Sequence, residues 1–155
     1  MTVFRIERAT GLSTGEAWRR VTDWRAHARQ VPLTRVTVAT PGPQGVGTRF
    51  TARSGVGRVG FDDRMEVVRW EPPGPGRPVG VCRLEKYGRL IGGWAEITVR
   101  EEAPGGGSPS GCRVTWAEEL RIRGVPRAGD AVVARVARVV FGRALDGLLK
   151  SPSRA

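Results

Sequence analysis

The segment from Asp130 to Lys150 constrains the fold of this chain more than any other. It reads as one amphipathic helix that follows a long series of short alternating strands. A strand-rich chain closed by a single long helix must lay that helix across the one large sheet available to it. The gap between helix and curved sheet is then a ready pocket for an apolar small molecule. With Asp130 as N-cap and roughly 100° of turn per residue, Val133, Val136, Ala137, Val140, Ala144 and Gly147 share one face. Phe141, Leu145 and Leu149 lie on its flank. A contact face of small residues has two outcomes: the helix closes onto the sheet, or the missing volume leaves a hollow. Interiors avoid unfilled voids, so a hollow implies a ligand or ordered water.

The strands are legible from a period of two. Thr2 to Arg8 forms a first strand with Phe4 and Ile6 on one side. Ser13-Thr-Gly-Glu16 is a capping box opening a short helix, with Ala17, Val21 and Trp24 on one face and Trp18 beside them. Ala26 to Val31 adds a second short helical piece before Pro32. Val36 and Val38 alternate in the next strand; Thr48, Phe50 and Ala52 alternate in the one after it. Further strands are expected at Phe61 to Trp70, Val79 to Tyr87, Ile91 to Glu101 and Cys112 to Arg123, with a glycine-rich connection over 103–111. The expected organisation is one domain over 1–150 and a short tail at 151–155.

Composition narrows the function classes. The chain has 155 residues, enough to bury a core without metal or disulfide staples. No apolar run is long enough to span a bilayer, and the start has no signal-peptide core, so cytoplasmic residence is the default expectation. Cys82 and Cys112 fall on strands separated by the Ile91 strand. Two strand spacings, about 9–10 Å, exceed the reach of a disulfide. The single His27 completes no zinc site with them, and no metal or cofactor is expected. The net charge of +11 suits an acidic partner such as nucleic acid or an anionic membrane surface. Yet the basic residues are scattered, and all but Lys86 and Lys150 are Arg, as GC-rich coding would produce.

The element order, strand then two short helices then six strands then a long helix, is the helix-grip order. Together with Asp-Arg-Met-Glu-Val-Val-Arg-Trp-Glu-Pro-Pro from Asp63 to Pro73 and Arg-Val-Thr-Trp from Arg113 to Trp116, it resembles the polyketide cyclase/dehydrase and lipid-transport (SRPBCC) group of the START/Bet v1-like superfamily. The resemblance implies an α+β helix-grip fold, with a seven-stranded antiparallel sheet wrapped around the C-terminal helix and enclosing an apolar cavity. It implies a list of functions, since members include carriers, receptors, cyclases and ribosome-associated proteins.

On the last strand, Cys112, Val114, Trp116, Glu118, Leu120 and Ile122 share a face that should look inward. Glu118 is its exception, a carboxylate that must be paired, wetted by the cavity or protonated. The favoured reading pairs it with an arginine such as Arg83 near the cavity mouth; the sharper one makes it a polar anchor or general acid/base. Tyr87, with Val81, Arg83 and Glu85, occupies one face of its strand against Cys82 and Leu84, and neither face is cleanly apolar. Trp94 and Trp116 are candidates for a stacking wall. The candidate cavity set is therefore Trp116, Glu118, Val114, Leu120, Tyr87, Arg83, Trp94, Val133, Val136, Val140 and Ala144, with no residue assigned a catalytic role.

Other matches carry less. Gly55-Val-Gly-Arg-Val-Gly60 fits GxGxxG in letters, but the residues after it read as a strand rather than a helix. Asp62-Asp63 lacks the further oxygens of a calcium loop. His27 is expected at the surface. The leading function is binding of an apolar or aromatic, lipid- or polyketide-like molecule by a monomer or homodimer. A cyclase or dehydratase in the same cavity and a basic RNA- or ribosome-associated protein are the alternatives.

Overall fold

A computed structural model describes residues 2–104 and 110–150. The centre of the expected glycine-rich connection and the expected tail lie outside the described residues. The elements run β1 (Thr2–Thr10), α1 (Thr14–Val21), α2 (Trp24–Gln30), β2 (Thr34–Val38), β3 (Arg49–Val56), β4 (Val59–Glu71), β5 (Val79–Tyr87), β6 (Ile91–Glu102), β7 (Gly111–Ile122) and α3 (Asp130–Lys150). The strands form one seven-stranded sheet in the order β1-β7-β6-β5-β4-β3-β2, antiparallel throughout. Strands β2 to β7 are thus a meander, and β1 closes it by pairing with β7.

Local chemistry sets the helix boundaries. The Ser13 hydroxyl accepts from the Glu16 amide, as the capping box requires. Asp23 then accepts from the Ala26 amide and starts α2, so Trp24 opens this helix instead of extending α1. Asp130, expected as the N-cap, already has helical angles because a short 3-10 turn, Arg127–Gly129, leads into α3.

The Gly55–Gly60 segment is the β3–β4 hairpin, with Gly57 in the left-handed region. A Cβ at Gly55 would strike the Val59 carbonyl, so the glycines here serve a tight turn and not a nucleotide. Cys82 and Cys112 are free and buried, on β5 and β7 with β6 between them.

Helix α3 meets the sheet unevenly along its length. Its C-terminal half buries Ala144, Leu145, Leu148 and Leu149, and Asp146 Oδ1 accepts from Arg8 Nε of β1 at 2.7 Å. The stripe expected at the contact is therefore rotated toward the leucine flank, because leucine removes more apolar area from water than alanine or glycine. The N-terminal half has no such residue: Ala137 is buried, but Val133 and Val140 are only half-buried and Val136 is 57% exposed. This half spans the concave face without filling the space beneath it.

Candidate functional site

The space beneath that half-helix is a hollow of about 430 Å³. Its roof is Val132, Val133, Val136, Ala137, Val140 and Phe141 of α3; its floor includes Phe50, Ala52, Met65, Ala95 and Leu120 of the sheet. Trp24, His27, Ala28 and Val31 from α2 and the end of that helix close one side. Aromatic contacts stiffen the walls. Trp24 stacks on Phe50 with ring centroids 4.7 Å apart, and Trp116 stacks on Phe141 at 5.2 Å. These are offset-stacking distances that hold large side chains in place at low entropic cost.

One polar cluster interrupts the apolar wall. The inner face of β5 runs Cys82, Leu84, Lys86, so the lysine is carried inward by the period of two and is 8% exposed. Its ammonium makes an ion pair with Asp63 Oδ2 of β4, lies 3.0 Å from Glu118 Oε1 of β7 and 3.7 Å from Met65 Sδ. Glu118 is fully buried, and its Oε2 accepts from Trp116 Nε1 at 2.8 Å. Asp63, Lys86 and Glu118 all line the hollow.

Burial raises the Glu118 carboxyl above its ordinary range, opposed by the nearby Lys86 ammonium and by the hydrogen bond from Trp116, and aided by Asp63. For Lys86, burial acts to depress the ammonium, but the charges of Glu118 and Asp63 outweigh it and the pKa is raised. Lys86 is thus a fixed cation. His27 lines the hollow and is not the surface residue expected: α2 turns it toward the rings of Trp24 and Trp116. Its Nε2 lies 2.7 Å from the Val21 carbonyl, which can only accept, so Nε2 carries the proton. Burial lowers its pKa against the pull of that bond and of Asp23, leaving a neutral imidazole.

Of the candidate set, Trp116, Glu118, Leu120, Val133, Val136 and Val140 face the hollow. Val114 and Ala144 do not reach it; both are packed in the core. Arg83, Tyr87 and Trp94 are on the opposite face of the sheet. The inward face of β5 is the even-numbered one, which leaves Tyr87 49% exposed and sets the Arg83 guanidinium over the Trp94 ring, 4.3 Å from its centroid. Arg83 pairs with Glu96 and Glu85 there. The expected Arg83–Glu118 pair is replaced by Lys86–Glu118, since only Lys86 shares the inner face with the carboxylate. Lys86 itself was missed because an isolated lysine reads as solvent-facing. Its signal was the continuation of the Cys82–Leu84 face, just as Asp63 continues Met65 and Val67 on β4.

No family model and no curated protein matches the sequence. Solved structures do match. A hypothetical protein from Helicobacter pylori superposes with a TM-score of 0.74 at 15% identity, over 96% of this chain and 86% of that one. The Zhui aromatase/cyclase from Streptomyces sp. R1128 gives 0.63 at 13% identity, over 96% and 91%. Ara h 8.0201 gives 0.59 at 12% identity, over 97% and 99%. The fold is the Bet v1-like helix grip. The helix-grip architecture expected from element order is therefore present along nearly the whole chain, and no helix among the described residues is long and apolar enough to cross a membrane.

Proposed function

We propose that this helix-grip protein binds an apolar or aromatic small molecule in the hollow between α3 and the sheet. The carrying observation is the unfilled space itself: about 430 Å³ lined by Trp24, Phe50, Trp116 and Phe141, in a volume that native packing would otherwise close. The Arg-rich surface contributes to solubility and long-range attraction, and binding in the hollow does not use it.

The reading is tested by titration with a neutral solvatochromic dye at low and high salt, on wild type and Trp116→Ala. Saturable binding that ignores salt and changes with the substitution supports it. Binding that weakens steeply with salt and ignores the substitution points to the basic surface and an RNA-like partner.

Cyclisation or dehydration of a polyketide-like chain in the same hollow is the second reading. It is favoured by Glu118, a carboxyl at the hollow's wall whose pKa burial raises above the ordinary range, as an acid or base there would require. Turnover of a β-hydroxy ketone by wild type and its loss in Glu118→Gln would decide for it.

A further inference from the structure

The cluster at the wall of the hollow is unbalanced in both charge and hydrogen bonding. Two carboxyl groups, Asp63 and Glu118, face one ammonium, which donates to Asp63 Oδ2 and Met65 Sδ and holds Glu118 Oε1 by charge at 3.0 Å. An anionic guest would meet two carboxyl groups that already share this single cation. The acceptors, by contrast, are in surplus. Asp63 Oδ1 is buried with no hydrogen-bond partner among the described residues, and Glu118 Oε1, on a side chain 1% exposed, has only the off-axis ion pair with Lys86. A buried carboxylate oxygen without a donor costs free energy that a guest bearing a donor recovers. The third orphaned atom, Trp24 Nε1, is a neutral donor and does nothing to offset the surplus negative charge.

The stacked pairs Trp24–Phe50 and Trp116–Phe141 line the space, and aromatic rings attract cations most strongly where water is excluded. Resting on the reading of the hollow as a binding site, we propose that its guest is an apolar amine in protonated form. The ammonium donates to Asp63 Oδ1 and Glu118 Oε1, and the apolar body lies under Val136 and Val140. The +11 net charge does not oppose this at close range, because the exposed arginines act through solvent and are screened within about 8 Å at physiological salt.

The test compares three guests of one shape at neutral pH by calorimetry: naphthylmethylamine, naphthylmethanol and naphthoate. The amine is expected to bind at least about tenfold tighter than the alcohol, the carboxylate is expected not to bind, and Asp63→Asn should narrow the amine-to-alcohol ratio. Equal or tighter binding of the alcohol, or any preference for the carboxylate, overturns the proposal while leaving the hollow as a binding site. Binding of none of the three overturns both. The wild-type series alone decides these outcomes, so an unstable Asp63→Asn variant would not weaken the test.

Discussion

Lys86 and Glu118 meet across an intervening strand: Nζ of the β5 lysine lies 3.0 Å from Oε1 of the β7 glutamate, with β6 between them. The residues of β6 that they must pass are Gly93, opposite Lys86, and Ala95, opposite Glu118. Small residues there leave the corridor open. Gly93 has φ of 117°, and a Cβ on it would strike the Glu119 carbonyl, so the backbone as well as the corridor requires glycine.

The pair sets an asymmetry in stability. Lys86→Met removes the cluster's cation and strands the buried Glu118 carboxyl beside the half-buried Asp63, an expected loss of about 3–5 kcal/mol. Glu118→Gln keeps an acceptor for Trp116 Nε1 and leaves Lys86 its contact with Asp63, so it should cost clearly less. Adding Glu118→Leu to Lys86→Met should recover part of the loss. Urea unfolding of the four proteins measures all three statements, and equal losses for Lys86→Met and Glu118→Gln would contradict them.

Acidification should weaken the fold through His27. Its folded pKa is lowered from 6.5 by burial, so the unfolded chain binds the proton more tightly. Stability from this group is complete above 6.5 and declines as pH falls through 6.5 toward the folded value. Glu118, raised by burial, acts in the opposite sense, since the folded state holds its proton more tightly. Melting temperatures of wild type and His27→Gln across this range isolate the histidine: the variant should lack the acid-side decline that wild type owes to it.

The thiols should be inert in the native state. Burial pushes the Cys82 thiol up to about 12, and Cys112 is raised for the same reason. Alkylation by iodoacetamide is expected to be negligible in buffer and complete in denaturant, read by intact mass. Rapid native labelling of either residue would show that β5 or β7 opens far more readily than this packing allows.

Much of the fold was legible because period, caps and turns are local. The capping box at Ser13, the alternation of β7 and the length of α3 each follow from neighbouring residues. The site was legible only where an inward face was clean, as for Trp116, Glu118 and Leu120. On β5 both faces carry charge, so the Cys82–Leu84 alternation marks the inward face only weakly, and partners on β4 and β7 decide it. Hence the sequence offers Tyr87 and Arg83 as cavity residues and hides Lys86. The rotation of α3 was hidden for a related reason. Leu145 and Leu149 outweigh the small-residue stripe only when the sheet supplies Phe4 and its neighbours as a place to bury them.

The most direct test of the central claim is a methyl-resolved NMR titration with naphthylmethanol. The account predicts saturable shifts at Met65, Ile91, Leu120, Val133, Val136 and Val140, which line the hollow. Val99 and Val114, buried in the core away from it, should stay in place. Shifts scattered over exposed methyls such as Val3, or no saturation, would mean that α3 closes onto the sheet in solution and that the hollow takes no guest.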